Sequence, residues 1–255
     1  HHDLDSTIDR WFREDIGEGD HTTFSTIPAD ASGSAKLLVK EAGILAGHQI
    51  AQRIFQRFDP EIALHSLMED GSTISPGDMV FRVKGKVHSI LQCERLVLNV
   101  MQRMSGIATT TAAYVKLLEG TGTKILDTRK TTPGMRFLEK EAVRIGGGEN
   151  HRMGLYDMIM LKDNHIDFAG GIGQAVSSTL SYLKKRKLNL DIVVEARSLE
   201  DIEAVLSMGG VRLRRILLDN FSVEETMQAI KLIDRRVETE SSGGITMENI
   251  REYAQ

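Results

Sequence analysis

One repeated pattern limits the folds open to this chain more than any other feature. Beyond Thr109, short apolar runs alternate with polar residues and helix starts. Short continuous apolar runs are typical of parallel strands that are covered on both faces. We therefore predict a parallel α/β domain with strands at 124–127, 156–161, 190–195, 215–219 and 236–240.

The helix starts between these runs can also be read from the sequence. Ser198 and Ser222 each stand three residues before a carboxylate, which is the spacing of a capping box, and Thr246 is predicted to begin a third helix. Strands that alternate with helices in this way favour a parallel sheet.

The first hundred residues follow different patterns. We predict strands at 36–39 and 78–83, an amphipathic helix at 47–58 and an ordinary hairpin within 70–85. A long helix should run from about 89 to 104, with Arg95, Asn99 and Gln102 on one polar face. Ser105 and Gly106 are predicted to end it, which divides the chain into domains 1–108 and 109–255.

The composition argues against several classes of function. The chain has 255 residues, a net charge of −4 and a single cysteine, Cys93. An acidic balance argues against a nucleic-acid or membrane surface, so any cationic site must be local. A lone cysteine excludes a disulfide framework and fits a reducing cytoplasm. No apolar run in the sequence is long enough to span a bilayer.

The polar residues that follow the predicted strands suggest a common site. They comprise cations, carboxylates and a glycine turn: Arg129, Lys130, Lys162, His165, Glu195, Asp219, Ser242, Gly243 and Gly244. The carboxyl ends of parallel strands form one rim, where such folds build their sites. Each residue alone also has a structural interpretation: a solvated charge, a helix cap or a structural histidine. Their coincidence at every strand end favours a site.

The residue types point to an anionic ligand beside a phosphosugar. Guanidinium groups such as Arg129 and Arg152 bind carboxylates in bidentate fashion, whereas Lys130 and Lys162 act as point charges toward phosphate. The carboxylates of Glu195 and Asp219 suit ribose hydroxyls or hydrated magnesium. Glycines allow backbone N–H groups to approach a phosphate.

Five segments resemble the quinolinate phosphoribosyltransferase family. In order they read ERLVLNVMQRMSGIAT, DTRKTTPGMR, GGGENHRMGLYDMIMLKDNH, ILLDN and ESSGGIT. The resemblance implies an N-terminal α/β open-faced sandwich followed by an incomplete α/β barrel with parallel strands. It implies that quinolinate and 5-phosphoribosyl 1-pyrophosphate give nicotinate mononucleotide, pyrophosphate and CO₂, with Mg²⁺ as cofactor. It also implies a homodimer, or a hexamer built from dimers, with shared active sites.

The resemblance assigns a role to each site residue. Arg129, His151, Arg152 and Lys162 would bind the quinolinate carboxylates, and Arg95 would enter the neighbouring subunit's pocket. The remaining assignments are Lys130 and His165 near the pyrophosphate and pyridine, Glu195 and Asp219 at the ribose hydroxyls and Mg²⁺, and Ser242, Gly243 and Gly244 at the 5′-phosphate. Lys130, Lys162, Glu195 and Asp219 form the predicted catalytic set.

Two features depart from the family pattern. Ser241 stands where many members carry alanine, and the family continues beyond Gln255 into a last strand and a Gly-Ala turn that binds phosphate. We therefore expect weaker barrel closure and weaker phosphate affinity in this chain. The alternatives are a related phosphoribosyltransferase acting on nicotinate or another base, and a non-catalytic phosphosugar-binding module.

Overall fold

The computed structural model describes residues 3–208 and 213–255. Packing separates the chain into two compact units that are not consecutive in sequence. The first contains His1–Lys116 and Lys124–Asn150, and the second contains Leu117–Thr123 and His151–Gln255. The predicted boundary between residues 108 and 109 lies inside a helix that spans Val87–Leu117.

The first unit combines a small antiparallel sheet with helices. The strand order is β1-β5-β3, and β2 pairs with β4 in a separate two-stranded sheet. The elements are α1 (Leu4–Ile16), α2 (His21–Thr26), β1 (Ser32–Leu38), β2 (Gly43–Ile44), α3 (His48–Phe58), β3 (Ala63–Ser66), β4 (Thr73–Ile74), β5 (Met79–Lys86), α4 (Val87–Leu117) and α5 (Arg136–Ile145).

Two predictions for the elements up to α4 are wrong. The segment 70–85 is not a hairpin, because β4 pairs with β2 while β5 lies between β1 and β3. Helix α4 does not end at Ser105 and Gly106 but continues to Leu117. The Ser105 hydroxyl accepts from the Ala46 N–H at 2.9 Å and donates to the Ala46 carbonyl at 3.1 Å. Its hydrogen bonds therefore join the helix to a neighbouring segment instead of terminating it.

The second unit is a parallel sheet whose strands follow chain order, β6-β7-β8-β9. Helices connect the strands, as parallel crossovers require. The elements are β6 (Ile159–Leu161), α6 (Asp163–Ala169), α7 (Ile172–Arg186), β7 (Ile192–Ala196), α8 (Leu199–Ser207), β8 (Leu213–Asp219), α9 (Val223–Ile233), β9 (Glu238–Ser242) and α10 (Ile250–Ala254).

The sequence predicted four of these strands and two of these helix starts. Ser198 and Ser222 are the N-caps of α8 and α9, and both accept the expected backbone hydrogen bond. Thr246 does not begin a helix, since α10 begins four residues later, at Ile250. The predicted strand at 124–127 is reduced to one parallel bridge between Leu126 and Glu149, because its apolar run is only two residues long.

The two faces of the parallel sheet differ in chemistry. Side chains of successive strand residues alternate between faces. One face presents Val194, Ile216 and Leu218 to a buried cluster that includes Ile202 of α8 and Ala229 of α9. The other face carries charged side chains at the carboxyl ends of its strands. The predicted fold class, a small mixed α/β domain followed by parallel strands and helices, is confirmed.

None of the helices within the described ranges is both long and apolar enough to span a bilayer.

Candidate active site

Glu195 and Asp219 lie on the polar face of the parallel sheet. Glu195 is paired with Leu217 in the register of β7 and β8, and Asp219 stands two residues after Leu217. Because residues two apart on a strand share a face, both carboxylates project to the same side of the sheet. The two acids that the sequence places at strand ends therefore lie on one face of the sheet in the second unit.

The Glu195 carboxyl is buried, with 5% of the residue exposed. It accepts a hydrogen bond from the Asp163 N–H at 3.1 Å. Burial raises the pKa of Glu195, and the nearby charges of Asp219 and Asp163 act in the same direction, against the lowering effect of the Asp163 N–H and the Lys162 ammonium. A raised pKa in a buried acid on this face is typical of a functional group.

Lys162 and His165 stand at the start of α6, next to Glu195. Lys162 is exposed and is the N-cap residue of the helix. Its backbone N–H donates to Nδ1 of His165 at 3.1 Å, so this ring nitrogen is held by the chain while the ring itself stays exposed. The amino group of Lys162 is therefore available to an anion in the solvent.

His151 approaches Glu240 on the same polar face. Nε2 of His151 lies 3.2 Å from Oε2 of Glu240, and Nη1 of Arg215 lies 2.9 Å from the same oxygen. Burial would raise the pKa of Glu240, but His151 and Arg215 together hold it below its usual value. Sequence analysis missed Glu240 and Arg215. The signal that could have revealed Glu240 is the alternation of charged and uncharged residues along 236–240.

Arg152 is buried close to the start of β6. The residue is 9% exposed, and Nη1 donates weakly to the Met158 carbonyl at 3.4 Å. Asp157 orders the intervening loop by accepting from the N–H groups of Met153 at 2.7 Å and Gly154 at 2.9 Å. These contacts fix the path of the chain around the guanidinium of Arg152, which sequence analysis assigned to carboxylate binding.

Glycines shape the turn that follows β9. Gly243 has φ +98°, and a Cβ at this position would lie 2.1 Å from Oδ1 of Asn220. The Asn220 N–H in turn donates to the Ser242 carbonyl at 2.8 Å. Glycine is therefore required at residue 243, and the predicted Ser242, Gly243 and Gly244 segment is a tight turn at the end of a strand.

The first unit holds the other predicted cations. Arg129 and Lys130 lie in the loop after Leu126; Nε of Arg129 is buried and has no hydrogen-bond partner in the part of the chain that the structure describes. The Lys130 N–H donates to the Thr128 hydroxyl at 2.9 Å. Arg95 lies on the exposed polar face of α4, as predicted. A buried donor without a partner, such as Nε of Arg129, requires a physical explanation, and a bound anion is one.

A buried ion pair that the sequence did not predict supports this loop. Lys140 of α5 pairs with Asp127, and 1% and 6% of the respective side chains are exposed. Asn150 donates to the other Asp127 oxygen at 2.6 Å and to the Lys140 carbonyl at 2.8 Å. This network ties Asp127, which opens the DTRK segment, to Asn150, which opens the NHR segment.

The described residues contain no cluster of three or more histidine, cysteine or carboxylate groups that could hold a metal. Glu195 and Asp219 are two carboxylates on one face of the sheet. Magnesium is commonly bound through one or two carboxylates, water and substrate phosphates, so this pair fits an ion that arrives with its substrate.

Family models match both parts of the sequence. The quinolinate phosphoribosyl transferase N-terminal domain matches residues 20–105, and the corresponding C-terminal domain matches residues 107–255. The chain belongs to the quinolinate phosphoribosyltransferase family. The resemblance stated from the five sequence segments is thus confirmed.

Curated members of the family match along the whole chain. A chloroplastic nicotinate-nucleotide pyrophosphorylase (carboxylating) of Arabidopsis thaliana is 45% identical, with coverage of 100% of this chain and 76% of the relative. Quinolinate phosphoribosyltransferase (decarboxylating) 1b of Nicotiana tabacum is 43% identical with the same coverage. A probable nicotinate-nucleotide pyrophosphorylase (carboxylating) of Synechocystis is 38% identical over 98% of this chain and 84% of its own length.

Solved structures agree with this membership. NadC from Streptococcus pyogenes superposes with a TM-score of 0.92 at 41% identity, over 98% of this chain and 86% of that structure. The Francisella tularensis nicotinate-nucleotide pyrophosphorylase gives 0.90 at 35% identity with the same coverage. Human nicotinic acid phosphoribosyltransferase gives 0.65 at 13% identity over 100% of this chain and 70% of that structure, which is a likeness of fold alone.

Proposed function

We propose that this family member is a decarboxylating quinolinate phosphoribosyltransferase. It transfers the phosphoribosyl group of 5-phosphoribosyl 1-pyrophosphate to quinolinate and forms nicotinate mononucleotide, pyrophosphate and CO₂. The observation that carries the proposal is identity of 40–45% along the entire chain to relatives named for this reaction or for its reverse. The enzyme class is that of a pentosyltransferase.

The polar sheet face of the second unit supports this activity. We assign the ribose hydroxyls to Glu195 and Asp219, which share that face. We assign the 5′-phosphate to the turn at Ser242, Gly243 and Gly244, where positive φ angles bring backbone close to a ligand. These two assignments would place the sugar along the carboxyl ends of β7, β8 and β9, where parallel α/β folds bind ligands.

The remaining assignments concern the dicarboxylate. Arg152 and Lys162 supply a guanidinium and an ammonium in the second unit. His151, which the resemblance assigned to a quinolinate carboxylate, accepts the Arg152 N–H through Nδ1, and we assign it instead to holding the chain at Arg152. Arg129, Lys130 and Arg95 keep the roles predicted from the family resemblance, as does His165. A molecule with two carboxylates requires this many cations, whereas a monocarboxylate such as nicotinate requires fewer.

The chemistry proposed for these residues is electrostatic. As the bond from the anomeric carbon to pyrophosphate breaks, the carbon gains positive charge and the pyridine nitrogen forms the new bond. The carboxylates of Glu195 and Asp219 beside the ribose stabilise that charge, and fixed cations hold both reactants in line. The reaction needs no side-chain nucleophile. Mg²⁺, when bound with the donor near Glu195 and Asp219, would neutralise charge on the leaving pyrophosphate.

One assay separates the three candidate functions. The protein is incubated with Mg²⁺, 5-phosphoribosyl 1-pyrophosphate and either quinolinate or nicotinate, and pyrophosphate and CO₂ are followed. CO₂ release with quinolinate supports the proposal. Pyrophosphate release with nicotinate alone supports the related transferase, and binding without turnover supports the phosphosugar-binding module.

Replacing Arg152 tests the carboxylate site. Arg152→Ala removes a buried guanidinium, and we expect quinolinate affinity to fall by about tenfold or more while donor affinity changes much less. Titration calorimetry with each ligand separately measures both. Equal loss for both ligands would contradict the assigned role.

The quaternary structure and the location stay predictions. We propose a homodimer, or a hexamer built from dimers, in which Arg95 of one subunit serves the site of another, and a cytoplasmic location. Light scattering after size-exclusion chromatography tests the assembly directly, and a monomer of full activity would contradict shared sites.

A further inference from the structure

The carboxylate of Glu240 lies at the centre of a chain of contacts that the family assignments leave unexplained. Glu240 is paired with Leu217 in the β8–β9 register, so it lies on the same face of the sheet as Asp219. It is further than Asp219 from the carboxyl ends of the strands. One of its oxygens, Oε2, meets both His151 at 3.2 Å and Arg215 at 2.9 Å. All three side chains are largely buried, with 17%, 6% and 12% of their surfaces exposed, respectively.

The second nitrogen of His151 is also engaged. Nδ1 accepts a hydrogen bond from the backbone N–H of Arg152 at 2.7 Å. A neutral imidazole has one N–H and one acceptor nitrogen, so a ring that accepts at Nδ1 carries its proton on Nε2, the nitrogen that faces Glu240 at 3.2 Å. The ring thus links Glu240 to the peptide of Arg152.

We infer that Glu240 is a positioning residue for the dicarboxylate subsite, acting through His151 on Arg152. This role rests on the proposed function, because it takes Arg152 as a ligand of quinolinate. An ionised carboxylate holds the ring more strongly than a neutral acceptor can. The low pKa of Glu240 keeps that carboxylate charged in neutral solution. The ring then keeps the Arg152 peptide in one orientation.

Charge repulsion and positioning predict opposite results for the same substitution. Glu240→Gln keeps the size of the side chain and an acceptor oxygen but removes the negative charge. If Glu240 were only a negative charge near an anion site, its removal would lower the KM for quinolinate. If it positions Arg152 through His151, its removal raises that KM.

Glu238 provides a matched control. It lies two residues earlier on the same face of β9 and also approaches Arg215, at 3.5 Å. However, 55% of its side chain is exposed, and its other contact is with Arg214 at 3.2 Å. Glu238→Gln therefore removes the same charge from the same strand while Glu240 and His151 stay paired.

The experiment measures steady-state kinetics for both substrates. We expect Glu240→Gln to raise the KM for quinolinate about tenfold and to leave the KM for the phosphoribosyl donor within about twofold, as loss of one charged hydrogen bond would. Glu238→Gln should leave both values within about twofold. If Glu240→Gln is poorly folded, Glu240→Asp, which keeps the charge but shortens the reach to His151, should give the same selective rise.

A double-mutant cycle tests whether the effect passes through His151. In a His151→Ala background, Glu240→Gln should change the KM for quinolinate by less than about twofold, because the link is already broken. A full tenfold effect in that background, an unchanged or lowered KM in the single variant, or an equal rise for both substrates would overturn the inference. Absence of turnover in the unsubstituted protein would instead overturn the proposed function.

Discussion

At the residue scale, the molecule places charged groups in buried positions and gives most of them partners. Lys140 pairs with Asp127, Arg103 pairs with Glu139 at 2.6 Å, and Glu240 contacts both His151 and Arg215. Glu195 differs, since burial and two acidic neighbours outweigh the effect of the Asp163 N–H and the Lys162 ammonium on its carboxyl. Burying an ionised group without enough stabilising contacts lowers the free energy of unfolding. Such a group is therefore expected where function requires it.

Glu195→Gln should stabilise the fold while reducing activity. A buried acid with a raised pKa ionises later in the folded chain than in the unfolded chain, so folding loses stability as pH rises through the carboxyl range. The variant should have the larger free energy of unfolding at about pH 7, and the difference should vanish near about pH 3, where both states are protonated. Activity should fall by about tenfold or more.

Urea unfolding at several pH values, together with the assay for CO₂ release, checks both parts of the Glu195 prediction. A variant that is less stable than the parent at neutral pH, or fully active, would contradict it.

Lys140→Met should be strongly destabilising. It leaves the Asp127 carboxylate buried without its cation, which costs about 3–5 kcal/mol. The control is Arg144→Ala on the same helix, where the ion pair with Glu141 is mostly exposed and its loss should cost within about 0.5 kcal/mol. Denaturant unfolding measures both. Similar losses for the two variants would show that burial of the Lys140 pair has no energetic role.

At the element scale, the ends of strands and helices are fixed by specific side chains. Ser198 and Ser222 begin α8 and α9 through cap hydrogen bonds, and these starts were readable from sequence because a cap is a local interaction. The continuation of α4 through Gly106 was not readable, because Ser105 bonds to a segment 59 residues earlier in the chain.

Gly243→Ala should damage the turn after β9. The added methyl group would overlap the Asn220 side chain at a residue with φ +98°, so Asn220 and the Ser242 carbonyl must shift. We expect the KM for 5-phosphoribosyl 1-pyrophosphate to rise about tenfold, with little change in that for quinolinate.

Gly244→Ala is the control for this turn. Its φ is +66°, but no atom lies within 4 Å of the added methyl group. The added methyl group meets no protein atom there, so the rise in the KM for the donor should be smaller than for Gly243→Ala, with backbone strain of about 1 kcal/mol. Initial-rate kinetics with varied donor compares the two substitutions, and equal effects would exclude the overlap with Asn220 as the cause.

At the scale of the whole molecule, each of the two compact units has its own buried core. The predicted assembly adds a further level, in which Arg95 of one subunit serves the site of its neighbour. Oligomers of this kind can be tested by exchange of subunits that carry different defects.

Mixing two inactive variants should restore activity if sites are shared. Arg95→Ala and Lys162→Ala are prepared separately, combined under conditions that allow subunit exchange, and assayed for CO₂ release. Each mixed dimer would contain one site free of substitutions, so activity should return to roughly a quarter of the unsubstituted value. No recovery, with exchange verified by mass spectrometry, would place both residues in the same subunit's site.

The sequence alone determined the parallel strands, two capped helices, the fold class and the family. These depend on local patterns: apolar runs, cap spacing and long motifs whose residues are contiguous. Only the tertiary structure showed that 124–127 forms a single bridge and that β4 and β5 belong to different sheets. It also showed that α4 continues to Leu117. It also decided the pairing of Lys140 with Asp127 and of Glu240 with His151 and Arg215. Such contacts join residues far apart in the chain, and their energies depend on burial, which no local pattern specifies.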